Sequence, residues 1–343
     1  MRITLKQIAE ISGVSRSTVD KVMNNRVGVS DEVRERVKAI ADELGYQPNI
    51  IGKALAFQKK SLIIAVVMPK NNFTKEAKIG IDKAYEELED FGIKIEYYAT
   101  KDFDVAEQIS VISYLIDRNV SGIILRPVDN KKLKMVIDKA VEKNIPVITF
   151  NSDVADSKRM CFVGQDLVKA GRVAGNIMAK LMNGRGKIVV IMGSYDLLAL
   201  NQRLEGFKAV METEHPLIEI VDIIETKEER VLTFQKTLEL LKDVQDLNGL
   251  YVTGGPLGEI GKAIKIFGKS GEIKVVCFDF YEENVKLVKD GVIDFAIGQD
   301  PVAQGYKSVK ILFEYLFNGK RPETDHIKTT IDVKEKESID FID

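Results

Sequence analysis

At 343 residues, 45% apolar and 30% charged, with a formal net charge of -2, the chain is too long for one small module and apolar enough to be globular, which leaves room for two or three domains. No apolar run is long enough to span a bilayer: Leu62 to Met68 is of strand length, and the opening MRITLKQIAEISG lacks the apolar stretch of an export signal, so a cytoplasmic protein is expected. The small net charge is a sum of opposites, because residues 1–60 hold 11 Lys/Arg and 7 Asp/Glu while the remainder is acidic, so a basic head precedes an acidic body.

In the head, Thr4 with Gln7 three residues on is a capping-box start, and Leu5, Ile8 and Ala9 form the inward stripe of a first helix ending near Ser12 and Gly13. Ser15 is the candidate N-cap of a second helix. There Val14, Val19 and Val22 share a buried side, which turns Arg16, Ser17, Asp20, Lys21 and Asn24 outward. Ser30, with Asp31 and Glu32 in the first turn, announces a third helix that buries Val33, Val37, Ile40, Ala41 and Leu44 and stops at Gly45. Three short helices with one exposed basic face fit a helix-turn-helix unit, since the major groove of DNA admits one helix and is read by the residues near its N-terminus. Arg16, Ser17 and Lys21 are then the candidate base readers. Taken alone, the pattern also fits a small bundle whose charges are merely solvated.

The stretch TLKQIAEISGVSRSTVDKVMNNRVGVSDEVRERVKAIADELGYQPN resembles the DNA-binding headpiece of the lactose/galactose repressor (LacI/GalR) family across the turn, the TVxxVxN helix, VS and LGYxPN. The resemblance implies base reading by Arg16, Ser17 and Lys21, within a DNA-facing set that also holds Thr4, Ser15, Thr18, Asp20, Asn24, Asn49, Lys53 and Leu55. Asp20 stands where many members have Ser; its carboxylate either accepts from a cytosine amino group or pairs with a neighbour such as Arg16. The linker from Asn49 to Lys60 is too short for an isolated helix, and Gly52 weakens it further. By resemblance it is a hinge that folds on operator DNA and wedges Leu55 into the minor groove, against an unstacking cost of roughly a few kcal/mol. The bland alternative is a plain linker.

From Ser61 the chain alternates β-branched runs with amphipathic stretches. SLIIAVVMP, KIEYYAT, GIILRPV and PVITFNS read as buried parallel strands, separated by helices beginning near Lys75, Val105 and Lys131. After a bridging segment around RMCFVGQD the pattern resumes with KIVVIMG, IEIVDII, GLYVTG, IKVVCFD and IDFAIGQ. The fold class is α/β: an all-α helix-turn-helix headpiece (1–47), a hinge (48–60) and a two-lobed, doubly wound domain (61–343). The N-lobe is expected at about 61–163 and 299–328, and the C-lobe at about 164–298 with the C-terminal segment.

Ligands of such sheets bind beyond the carboxyl ends of the strands, where this chain places Asn71 to Thr74, Arg126, Asn151 to Asp153, Gln165, Asp166, Tyr195, Thr253 to Gly255, Asp279 to Tyr281, Gln299 and Asp300. Carboxylates and amides that grip hydroxyls, with aromatic rings to cover C–H faces, suit a sugar or another polyol. The body also resembles the family's effector domain, which shares the periplasmic sugar-binding fold, and its ribose-binding branch most closely. That implies ligand contacts from Phe73, Asn151, Ser152, Arg203, Asp279 and Gln299; Arg126, Tyr195 and Gly254 complete the candidate effector set. Gly254 and Gly255 replace a usual Asn-Asp and Thr74 a possible second aromatic, so the ligand need not be a common pentose. Arg126 suits either an internal ion pair or an anionic sugar derivative.

Catalysis is not expected. GGPLGEIG and GRGK miss the phosphate-loop spacings, MGSYD lacks the second glycine of a nucleophile elbow, and His215 and His326 lie away from the strand ends. Cys161 and Cys277 read as core thiols, with no metal site and no cofactor implied. The expected function is a transcriptional regulator, a repressor by resemblance, acting as a homodimer on a pseudo-palindromic operator in the nucleoid and controlled by a small sugar-like effector. The alternative is a sugar-binding transport receptor without a regulatory role.

Overall fold

The computed structural model describes residues 3–23, 28–46, 58, 61–101, 104–154 and 156–340. The head holds α1 (Leu5–Ser12), α2 (Arg16–Met23) and α3 (Asp31–Glu43). Thr4 caps α1 by accepting from the Gln7 backbone N–H, and the Gln7 side chain returns to the Thr4 N–H at 2.9 Å. Gly13 ends α1 at φ 66°, a left-handed turn that a Cβ would strain. Ser15 Oγ accepts from the Thr18 N–H at 3.0 Å at the start of α2. Ser30 differs from its expected role: its backbone is extended, but its side chain makes no cap bond. Asp31 and Glu32 in the first turn of α3 still offset the helix dipole there. Ile8, Val19, Val22 and Val37 are completely buried, and each such side chain contributes about 1.5–3 kcal/mol. That burial fixes which side of α2 faces out.

The body is built on two six-stranded sheets. One contains β1 (Leu62–Pro69), β2 (Ile93–Thr100), β3 (Gly122–Leu125), β4 (Val147–Phe150), β5 (Cys161–Gln165) and β11 (His326–Thr329), in the order β11-β5-β4-β3-β1-β2 and parallel throughout. The other contains β6 (Gly186–Met192), β7 (Ile218–Glu225), β8 (Leu247–Val252), β9 (Lys274–Phe278), β10 (Phe295–Gly298) and β12 (Asp332–Lys334), in the order β12-β10-β9-β8-β6-β7, with β12 antiparallel to β10. The inner strands β3, β4 and β5 are buried along their whole length, in keeping with their mainly apolar sequences. RMCFVGQD is therefore a core strand rather than a bridge between lobes.

Helices cover both faces of each sheet. The N-lobe carries α4 (Asn72–Glu86), α5 (Val105–Asp117), α6 (Lys131–Glu142) and α12 (Pro301–Asn318). The C-lobe carries α7 (Leu167–Leu181), α8 (Leu198–Glu214), α9 (Arg230–Asp243), α10 (Leu257–Ile266) and α11 (Glu282–Lys289). The first of these, α4, starts before the expected Lys75, because Asn71 and Thr74 form a reciprocal cap with bonds of 3.1 and 3.0 Å. The helices α7 and α8 touch backbone to backbone: a Cβ on Gly171 would fall 2.0 Å from Arg203 O, and one on Gly206 would fall 2.0 Å from Val168 O. The chain passes between the sheets after β5, after β10 and between β11 and β12. Gln165 ties these crossings together, its Nε2 donating to Gly298 O at 2.9 Å and to Thr330 O at 3.1 Å.

Candidate functional site

On the head, Thr4, Ser15, Arg16 and Ser17 are exposed, while Thr18, Asp20 and Lys21 are half-buried around the start and flank of α2. No acidic residue lies in the first turn of α2. Asp20 lies close enough to Tyr46 that its charge, after burial itself, raises the phenol's pKa. Asn24, Asn49, Lys53, Leu55 and the expected hinge lie outside the described residues, Gln58 excepted.

In the body, the strand ends of the two sheets face each other and a polar chain runs between them. Arg126, just past β3, donates from Nε to Asn151 Oδ1 at 2.8 Å, and its guanidinium lies 5.9 Å from the Phe73 ring centroid. Asn151, held at φ 63° after β4, donates from Nδ2 to Gln299 Oε1 at 3.0 Å. Gln299 in turn donates from Nε2 to Asp279 Oδ1 at 2.6 Å at the end of β9. Arg126, Asn151, Gln299 and Asp279 thus form one hydrogen-bonded line from the first sheet to the second. Phe73 is 5% exposed and stacks on Phe150, with ring centroids 6.2 Å apart.

Arg203 lies on α8 and is 2% exposed. One Nη donates to Thr253 O at 2.8 Å, and the guanidinium stacks on the Phe278 ring at 3.7 Å, which leaves Nε buried with no partner. Ser152 Oγ and Thr253 Oγ1 are buried without partners as well. Burial lowers the Arg203 pKa and raises that of Asp279; each charge partly offsets the other's penalty, and Gln299 and Tyr281 also stabilise the Asp279 carboxylate by hydrogen bonds.

Other sequence candidates are placed elsewhere. Thr74 is 2% exposed, and its hydroxyl donates to Pro69 O at 2.6 Å, so it is a structural cap. A Cβ on Gly254 would lie 2.9 Å from a Leu200 methyl, so a side chain there would press on α8. Tyr195 is 47% exposed and stands apart from the Asn151–Gln299–Asp279 line. Glu76 is a residue that the sequence reading missed. It is half-buried on α4, has no hydrogen-bond partner among the described residues, and faces Asp279 and Tyr281 across a cavity of about 200 Å³ that Gln299 and Thr330 also line. Its pKa is raised to about 7, first by burial and then by the Asp279 charge. Among the described residues no group of three or more His, Cys, Asp or Glu could hold a metal ion, and no helix is long and apolar enough to cross a membrane.

Comparison with known proteins matches two separate stretches of the chain. Residues 4–49 match the model of bacterial regulatory proteins of the lacI family, and residues 64–321 match the periplasmic binding protein domain. The HTH-type transcriptional regulator DegA of Bacillus subtilis is 28% identical over 230 residues, 66% of this chain and 66% of its own length. The D-ribose/D-allose-binding protein of Pseudomonas aeruginosa is 27% identical and covers 76% of this chain and 83% of its own. The glucose-galactose binding protein GanP from Geobacillus stearothermophilus superposes with a TM-score of 0.75 at 26% identity, over 81% of this chain and 99% of that one. A trihelical head with an exposed second helix, joined to a two-lobed periplasmic binding protein domain, makes the chain a member of the lacI family of DNA-binding transcriptional regulators.

Proposed function

We propose that the protein is a cytoplasmic repressor that binds a pseudo-palindromic operator as a homodimer and is controlled by a sugar or sugar derivative held between its lobes. The carrying observation is that Arg203 and Asp279, opposite charges buried in one wall, are not joined by an ion pair. Arg203 keeps Nε unpaired, the hydroxyls of Ser152 and Thr253 are buried without partners as well, and Asp279 is steadied by the nearby Arg203 charge and by hydrogen bonds from Gln299 and Tyr281. A buried polar atom without a partner is costly, so the wall is incomplete until something both donates and accepts there. Hydroxyls do both, and Phe73 offers an aromatic face to the C–H side of a ring. The sugar-binding relatives support the same ligand class.

The mechanism follows from the crossings. A ligand that bonds both lobes favours the arrangement in which they are closed, and rotation at the Gln165 cluster carries that preference to the head. Operator and effector affinities are then reciprocally coupled. Arg16, Ser17 and Lys21 read bases, with Thr4, Ser15 and Thr18 as flanking donors to phosphate; the hinge around Leu55 folds on DNA only in the unliganded spacing. The protein acts by binding, not by catalysis. The test is selection of operator DNA from a random pool by the full-length chain, with Arg16→Ala and Leu55→Ala alongside, followed by release with sugars. An enriched palindrome that Leu55→Ala binds more weakly supports the reading. A wild-type pool without enrichment sinks it and leaves a transport receptor.

A further inference from the structure

Resting on the effector reading above, the crossing after β10 points to the residue that ties cleft occupancy to lobe rotation. Gln299 stands at that crossing, between β10 of the C-lobe and α12 of the N-lobe, and its side-chain amide has one end on each lobe. Its Oε1 accepts from Asn151 Nδ2 at 3.0 Å, and its Nε2 donates to Asp279 Oδ1 at 2.6 Å. The backbone is held as well: the Gln299 carbonyl accepts from Gln304 Nε2 on α12 at 2.8 Å and from Thr329 Oγ1 on β11 at 3.1 Å. All three residues are buried, so a Gln299 peptide that turned away from these donors would leave a buried carbonyl unsatisfied.

The residues on either side of Gln299 are confined too. Gly298 O accepts from Gln165 Nε2 at 2.9 Å. Asp300 is left-handed at φ 54°, a costly conformation for a residue with a Cβ, and its Oδ1 accepts from the Ala303 N–H at 2.9 Å in the first turn of α12. Of the two donors on the Gln299 carbonyl, Gln304 is the one that belongs to the helix this crossing feeds. We propose that Gln304 is a positioning residue of the effector response, holding the Gln299 carbonyl to α12 so that the amide in the polar line and the crossing that turns move as one piece. A ligand that displaces the amide then drives the start of α12 instead of being absorbed by a local peptide rotation. Gln304 acts through Gln299, so its loss uncouples effector and operator affinities without removing either.

The test uses the full-length protein, the operator it selects from a random pool, and the tightest binder among D-ribose, D-allose, D-galactose and D-glucose as the probe. Gln304→Met keeps the length of the side chain and removes the donor. Sugar affinity by calorimetry, and operator affinity without sugar, are expected to stay within about threefold of wild type, while saturating sugar weakens operator binding at least about tenfold in wild type and less than about threefold in Gln304→Met. Ser308→Ala, which removes the bond from Ser308 Oγ to Gln304 O one turn along α12, is expected to keep the wild-type response. Thr329→Val removes the other donor from the same carbonyl and is expected to reduce the response as well; should Gln304→Met not fold, an unchanged response in Thr329→Val overturns the proposal. It is also overturned by a wild-type response in Gln304→Met, by an equal loss in Ser308→Ala, or by a sugar affinity that falls in step with the response. Those outcomes leave the effector reading in place, whereas wild-type protein that selects an operator and binds none of the sugars overturns both.

Discussion

Arg16 on α2 and Arg203 on α8 are the two arginines proposed to meet ligands, yet Arg16 is exposed at a helix start whereas Arg203 is 2% exposed above the Phe278 ring. The exposed guanidinium keeps its hydration until DNA arrives, and its pull on phosphate passes through solvent and is screened by salt. The buried one has already lost its water on folding, and its interactions act over short range in a medium that screens little. On the proposed function, two surfaces of one chain would therefore bind by different physics: the head would gather affinity from many weak, screened contacts, and the cleft from a few desolvated ones.

Salt should separate the two most strongly. Between 50 and 200 mM salt, operator affinity is expected to fall by about 10³–10⁵ for a dimer making about 6–10 phosphate contacts, while effector affinity changes by less than about twofold. Filter binding and calorimetry over the same salt series check this; parallel slopes for the two ligands would break the contrast. Next in size, Arg203→Leu is expected to weaken effector binding by about 2–5 kcal/mol, because it strands Asp279 and the ligand hydroxyls without their cation. The titration fails the idea if affinity is unchanged in a variant whose circular dichroism matches wild type. Arg16→Ala should cost roughly 1–3 kcal/mol on the best operator and relax the base preference at one half-site position. An equal loss on every sequence would make Arg16 a phosphate contact instead.

The smallest effect is protonic. Glu76 has its pKa raised from 4.5 to about 7, first by burial and then by Asp279. Above pH 4.5 the native state holds a proton that the unfolded chain releases, so this contribution is complete below 4.5 and is lost as pH rises through about 7. Scanning calorimetry should show Tm declining between pH 5 and 8 by about 2–4 °C, and Glu76→Gln should flatten that decline. A wild-type Tm that rises over this range would contradict the carboxylate's placement.

The head's helices were legible because three cues agreed at the same residues: the Thr4–Gln7 cap, the Gly13 stop and the Val19–Val22 stripe. The strands of the sheet interiors were legible because burial on both faces makes them continuously apolar, as in β1 and β8. The short edge strands HIKT and DVK carry no such signal, since each has one side open and only a few residues. Glu76 stayed hidden for a related reason: a glutamate in the second turn of an amphipathic helix looks solvated, and only tertiary burial and the approach of Asp279 raise its pKa. Thr74 misled in the opposite direction, because a polar residue after a strand fits a ligand contact and a helix cap equally well.

The amide of Gln165 has a mechanical consequence. Three separate segments join the lobes, and three independent joints would let them twist, slide and open along unrelated paths. By donating to Gly298 O and Thr330 O from a single nitrogen, Gln165 gathers the segments into one cluster, about which the proposed closure would turn as on a shared axle. A sensor on a single axle would have one coordinate to report: under the proposed mechanism, whatever fills the cleft would be converted into one angle for the head to receive.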